Sequence, residues 1–297
     1  MSLSPRQLLL ALAVVAVWGT NFVVIKLALD ALPPLLLATL RFTFALLPAA
    51  LFVRRPPVRW RLLAAYGVLI GAGQFGLLYL AMSGHVGHIS PGLASLVIQI
   101  QVFFTIGLAI VVDHERVRAY QWLALLLALA GIVVIALHTD ASTTPLGLLL
   151  VLAAALGWAG GNVVARHSGR VDMLAYVVWS SVFALPPLLA LSLLLEGPQA
   201  IGAALARADA SVWAAVLWQS LGNTLFGYAA WGWLLARHPA ATIVPLALLV
   251  PVFGMAASAW WLGETLPMWK LLAAALVLCG LALNLLWPTL RQRLRAL

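Results

Sequence analysis

Residues 7–28 read QLLLALAVVAVWGTNFVVIKLA, with no acidic residue and a single cation, Lys26, near the end. As a helix, about 20 apolar residues cross the hydrocarbon core of a bilayer. With Arg6 in front, the run could imitate a secretory leader. No small-residue cleavage site follows, however, and the run continues through Trp18-Gly19-Thr20-Asn21-Phe22. It is therefore read as a first transmembrane helix that stays in the mature chain.

The same pattern recurs. Counting this one, apolar blocks fall at about 7–28, 33–53, 62–82, 91–112, 119–138, 145–165, 172–195, 211–235, 240–262 and 267–288. Pro33-Pro34, Pro91, Pro239 and Pro267 sit at or beside block starts, where a missing amide hydrogen costs nothing. Composition agrees: 64% of the 297 residues are hydrophobic, 8% are charged, and mean hydropathy is +1.07. A soluble chain carries about a quarter charged residues, so this one could not cover a water-facing surface.

A net charge of +9 is not a nucleic-acid footprint here, because the basic residues sit singly or in small groups between apolar blocks. They do report orientation. With the N-terminus cytoplasmic, the inside segments hold Arg6; Arg54, Arg55, Arg59 and Arg61; Arg116 and Arg118; Arg166 and Arg170; Arg237; and Arg291, Arg293 and Arg295. Only Lys26, Arg41, Arg207 and Lys270 fall elsewhere, so the positive-inside rule places both termini in the cytoplasm. The one cysteine, Cys279, excludes a disulfide framework and reads as a small helix-packing residue.

Self-comparison reveals a repeat. Gln74 and Asn223, each preceded by glycine, are 149 residues apart, and Tyr79/Tyr228, Glu115/Glu264 and Gly131/Gly280 share that offset. Trp18…Lys26 and Trp158…Arg166 repeat at 140, as an insertion in a loop would cause. Five spans per half is an odd number, so the halves cross the membrane in opposite senses. The expected fold is all-α: ten transmembrane helices as two inverted repeats, residues 1–138 and 139–297, together forming one transport domain. In secondary transporters of this construction the substrate sits between the halves near the bilayer midplane; the plainer possibility is a duplication in a non-transporting membrane protein.

The chain resembles, along nearly its whole length, the EamA-type ten-helix members of the drug/metabolite transporter superfamily. The first half carries the likeness in Trp18-Gly19-Thr20-Asn21-Phe22 with Ile25-Lys26, Pro33-Pro34, Leu40-Arg41-Phe42, Gly92-Leu93-Ala94-Ser95-Leu96, Gln99-Ile100-Gln101 and Glu115-Arg116. The second half adds Gly157-Trp158, Gly161-Asn162, Pro245-Leu246, Val250-Pro251-Val252 and Gly263-Glu264. The Gln-x-Gln element resembles exporters of cysteine and O-acetylserine, and YddG-type exporters of aromatic amino acids share the architecture. The resemblance implies amino-acid efflux through a bacterial inner membrane, with no cofactor and no metal. The turn Ser83-Gly84-His85-Val86-Gly87-His88 is longer than the family's usual one.

Polar groups inside a bilayer are costly unless satisfied, which makes each a candidate for function. Trp18, Asn21, Phe22 and Ile25 share one helical face, and Trp158 with Asn162 repeats it. An indole beside a carboxamide suits an amino acid, although an Asn can equally bond across a helix interface. Gln74 and Asn223 sit at equivalent sites, with Tyr79 and Tyr228 about one and a half turns on and glycines alongside. Gln99 and Gln101 point to nearly opposite faces of a regular helix, so Ser95/Gln99 and Gln101/Thr105 form two stripes, of which at most one is expected in a given cavity. Arg41 lies eight residues into the second span. It could hold a substrate carboxylate or pair with loose helix-end carbonyls; the structural role is favoured, since nothing in the sequence brings that span to the central path.

The substrate-binding set expected is thus Trp18, Asn21, Gln74, Tyr79, Gln99, Trp158, Asn162, Asn223, Tyr228 and Trp231. The family pattern puts spans one, three, four, six, eight and nine around the path, and the uniformly apolar spans five and ten at the periphery. All eight acidic residues lie at span ends or in loops, which argues against cation antiport and carboxylate-driven proton coupling. Catalytic motifs are absent: there is no His-Glu-x-x-His, Gly-x-Ser-x-Gly or Walker loop. The expectation is therefore a non-enzymatic exporter of amino acids and related metabolites, working by alternating access without proton coupling. Its partners would be a small-molecule substrate and the lipid bilayer, with no nucleic acid, and the chain monomeric. The other reading is export of nucleosides or drug-like solutes.

Overall fold

A computed structural model describes residues 3–114, 117–139 and 143–294. Glu115, Arg116, Asp140 and Arg295 lie outside the described residues, as do the side chains of Arg291 and Arg293. In chain order the helices are α1 (Pro5–Leu29), α2 (Pro34–Ala50), α3 (Trp60–Ser83), α4 (Pro91–Asp113), α5 (Ala119–Leu137), α6 (Pro145–His167), α7 (Met173–Glu196), α8 (Pro198–Arg207), α9 (Ala210–Arg237), α10 (Ala240–Leu262) and α11 (Met268–Leu294). No β-strand forms among the described residues; a single isolated bridge pairs Ile89 with Thr143.

Eight of these helices, α1, α3, α4, α5, α6, α7, α10 and α11, are long and apolar enough to cross a membrane. Helices α8 and α9 meet that test only as a pair, bent by 106°. The block expected at 33–53 forms a helix of only 17 residues. It stops ahead of Arg54-Arg55-Pro56-Pro57, where proline removes an amide donor and pushes the preceding residue out of helical conformation. Helix α8 was not foreseen; Gly197, at φ 82°, makes the sharp corner into it and Pro198 occupies its first turn.

Helix starts follow local chemistry. Ser4 and Gln7 form a capping box on α1 ahead of Pro5. Thr144 caps α6, Asp172 caps α7 and Asp209 caps α9, each accepting from amides two or three residues on. Helices α2 and α4 lack a local side-chain cap. Distant glutamates supply it: Glu196 accepts from Leu35 N at 2.6 Å and Leu36 N at 3.0 Å, and Glu264 accepts from Gly92 N at 3.0 Å. A carboxylate also suits the positive end of the helix dipole.

Helices α5 and α11 lie against each other. A Cβ on Gly131 would fall 2.7 Å from Val277 Cγ2, and one on Gly280 would fall 2.5 Å from the Ala124 carbonyl oxygen. Leu123, Leu126, Leu129 and Val133 remain exposed along α5, a surface made for lipid rather than water. Both the α4 and α10 helices end in a left-handed residue, His114 (φ 54°) and Gly263 (φ 66°), 149 apart.

Regular winding breaks in four places that matter. Leu69–Gly76 in α3 and Trp218–Phe226 in α9 are π-helical; Ile98–Ile100 in α4 and Val244–Leu248 in α10 are 3-10 turns. The first pair contains Gln74 and Asn223, and the second contains Gln99 and Pro245. Such irregular turns concentrate at functional sites, because they redirect side chains and free backbone groups.

Candidate functional site

A cavity of about 290 Å³ opens among these irregular turns. That is near the lower limit of the ~300–1,000 Å³ typical of small-molecule pockets. Its wall draws on α1, α2, α3, α4, α6, α7, α9 and α10. Tyr66, Asn162, Met173, Trp231 and Val244 carry the wall toward the end of the bundle where Asp113 meets Arg166 and His167. Toward the opposite end Leu29, Met82, Leu93 and Val97 are buried. There Ser90, Ser258 and Lys270 all donate to Glu264, and the histidine-bearing turn is tied down by Thr144 N donating to His88 O at 2.8 Å.

Nine of the ten expected residues line the cavity: Trp18, Asn21, Gln74, Gln99, Trp158, Asn162, Asn223, Tyr228 and Trp231. Trp18 is held from several sides. Its indole N–H donates to the Asn223 carbonyl at 3.1 Å, and its ring meets Trp231 at 5.2 Å and Tyr228 at 6.0 Å. Gly227 makes room for it, since a Cβ there would fall 2.3 Å from Trp18 Nε1. The π winding is held by Thr224 Oγ1 donating to the Gln219 carbonyl five residues back, at 2.9 Å.

Tyr79 is the exception. It is fully buried behind the wall, where its hydroxyl donates to Gln219 Oε1 and accepts from Arg41 Nη1 at 3.0 Å. Of the two tyrosines at the 149-residue offset, Tyr228 lines the cavity, whereas Tyr79 bonds Arg41, which lines it in turn.

Two expectations about the wall need correction. Gln99 and Gln101 both line the cavity. The turn Ile98–Ile100 is 3-10, with about 120° per residue instead of 100°, so side chains two apart diverge by roughly 120° rather than 160°. Ser95 bonds back to the Gly92 carbonyl at 2.7 Å and packs against Gly254, while Gln101 Oε1 accepts from Asn162 Nδ2 at 2.8 Å. The second correction is Arg41. It lines the cavity while only 1% exposed. Nη2 donates to Asn223 Oδ1 at 2.7 Å and Thr224 Oγ1 at 3.0 Å, and the guanidinium carbon lies 3.8 Å from the centre of the Phe75 ring. Loose helix-end carbonyls are not its partners.

Tyr66, Phe75 and Met173 also line the space and were missed; aromatic and thioether side chains on apolar helices look the same whether they face lipid or a cavity. Arg41 did leave a signal. It is a cation eight residues into an apolar block, 33–53, that holds no acidic residue. The amide oxygens of Asn21 and Gln74 and the Nε of Arg41 are buried without hydrogen-bond partners.

Comparison with known proteins places the chain in a family. The model of the EamA-like transporter family matches residues 6–137 and again 145–286. A Salmonella typhimurium protein named "Probable amino-acid metabolite efflux pump" is 41% identical over 99% of both chains, and an Escherichia coli K12 protein of the same name is 38% identical over 95% of both. A "Probable terminal-alkyne amino-acid exporter" of Streptantibioticus cattleyicolor is 29% identical over 95% of this chain and 94% of its own. One solved crystal structure, at 20% identity, shares the fold with a TM-score of 0.62 over 95% of this chain and 96% of that one. The chain belongs to the EamA-like transporter family.

Proposed function

We propose that this chain exports amino acids and related small metabolites across the bacterial inner membrane by alternating access, without proton coupling. The carrying observation is the cavity itself. It combines aromatic walls (Trp18, Trp158, Tyr228, Trp231) with carboxamides (Asn21, Gln74, Gln99, Asn162, Asn223), and among the described residues no acidic side chain lines it. A neutral or zwitterionic solute fits such a lining. A proton-driven cation exchanger would keep a carboxylate there to alternate between proton and cargo. The names of the Salmonella and Escherichia relatives support amino-acid metabolites as the cargo.

In this reading α2 and the bent α8–α9 element complete ten spans, with both termini cytoplasmic. At 17 residues, α2 reaches about 26 Å, close to the ~30 Å hydrocarbon core. The two halves, 1–138 and 139–297, are inverted repeats. Support comes from the paired π turns at Leu69–Gly76 and Trp218–Phe226, the paired 3-10 turns, the left-handed ends at His114 and Gly263, and the family match that recurs in each half. The packed end around Glu264 is then the closed outer gate, and the cavity faces the cytoplasm.

Flux of labelled amino acids in proteoliposomes, with and without a pH gradient, tests the proposal. Flux down the solute gradient is expected to be the same in both. Strong dependence on the proton gradient removes the uncoupled mechanism, and absence of flux for every amino acid removes the substrate class.

A further inference from the structure

We infer that Arg41 is the carboxylate anchor of this cavity, so that a solute must carry a free carboxylate to be held there, its apolar or aromatic part against the Trp18 cluster. The inference deepens the exporter reading and rests on it for the direction of transport, though not for binding.

Arg41 is a permanent cation buried to 1% exposure, and no described carboxylate pairs with it. Its acceptors are neutral: the Tyr79 hydroxyl, the Asn223 amide oxygen and the Thr224 hydroxyl. Phe75 offers the face of its ring, which attracts a cation but does not neutralise it. A guanidinium has five N–H donors, and Nε–H is buried with no partner. A buried donor left unpaired is the exception in proteins and calls for an explanation beyond tying helices together.

A buried charge lacking a counter-ion is costly, and an anionic group entering the cavity removes that cost. A carboxylate would take the free Nε–H and compete with Asn223 and Thr224 for Nη2, because an ionised acceptor bonds roughly twice as strongly as a neutral one. Asn21 and Gln74 line the cavity too, and the amide oxygen of each is buried without a partner. In this proposal a solute's ammonium group donates to them. One spare cationic donor and two spare neutral acceptors complement an α-amino acid zwitterion. They select against a cationic solute, which would meet the Arg41 charge in a low-dielectric space.

The test uses purified full-length protein in lipid nanodiscs, read by intrinsic tryptophan fluorescence, since Trp18, Trp158 and Trp231 line the space. The probes are L-phenylalanine, 3-phenylpropionate (no ammonium) and L-phenylalaninamide (no carboxylate). Both acids are expected to bind roughly 10- to 100-fold more tightly than the amide, the usual range for a charged hydrogen bond. Arg41→Gln should erase that preference and Arg41→Lys should keep part of it. If Arg41→Gln does not fold, the probe series on wild type and Arg41→Lys still decides. Equal binding of acid and amide, no binding of either acid, or an acid preference that survives in Arg41→Gln overturns the anchor. Flux of the same probes and uridine, run in parallel, separates the two readings. Uridine flux without phenylalanine flux sinks the anchor and leaves an exporter; Arg41-dependent acid binding without any flux sinks the exporter and leaves the anchor.

Discussion

Glu264 and Lys270 form a buried ion pair, Nζ to Oε1 2.8 Å, with side chains 8% and 3% exposed. The same carboxylate accepts from Ser90, Ser258 and the Gly92 amide. One side chain after α10 thus holds the start of α4, the end of α10 and the start of α11 together. Removing one partner of a buried pair strands the other's charge. Glu264→Gln should therefore cost about 3 kcal/mol, read as a clear fall in the apparent melting temperature of the purified protein. A melting temperature unchanged from wild type would show that the pair carries no stability.

The same site sets an acid limit. Burial alone would raise the Glu264 pKa, but hydrogen bonds from Lys270, Ser258 and Ser90 and the Lys270 charge outweigh it and hold the carboxyl below the usual glutamate range. A carboxylate whose pKa is lower folded than unfolded contributes stability above the unfolded value and loses it as pH falls through the folded one. Melting temperature should be level near neutrality and decline below about pH 4.5, with a shallower decline in Glu264→Gln. Parallel pH profiles for the two proteins would contradict this.

Gly227→Ala should damage transport more than folding. Its Cβ would fall 2.3 Å from Trp18 Nε1, so the indole has to swing aside. Swinging breaks the bond to the Asn223 carbonyl and disturbs the contacts with Tyr228 and Trp231. About a tenfold loss of amino-acid flux is expected, the scale of one hydrogen bond, with melting within a few degrees of wild type. Normal flux would mean that the seating of Trp18 is unimportant.

Asn162→Ala removes the donor to Gln101 Oε1. Flux should again fall about tenfold while the helix bundle persists, because Asn162 lies on the cavity wall and alanine favours helix. Flux equal to wild type in proteoliposomes would remove Asn162 from the proposed site.

The apolar blocks were legible because bilayer hydrocarbon demands length and composition that local residues alone satisfy. So too were Trp18, Asn21, Gln74 and Asn223, as polar or aromatic groups in apolar runs. Gln101 was set aside because a regular helix was assumed, and a 3-10 turn of three residues leaves no compositional trace. Helix α8 was missed because its apolar face is short and its partners lie on other elements.

What the sequence by itself determined is the solvent of this protein and its helical class, since each depends on the order of residues along one chain. The tertiary structure alone decided which polar groups meet. Arg41 reaches Tyr79 and Asn223 across 38 and 182 residues, and Glu264 caps a helix that begins 173 residues earlier. Those contacts depend on how helices cross and where π and 3-10 turns rotate side chains. Packing sets that geometry through small residues such as Gly227 and Gly254, whose missing Cβ atoms matter only once a neighbour has arrived.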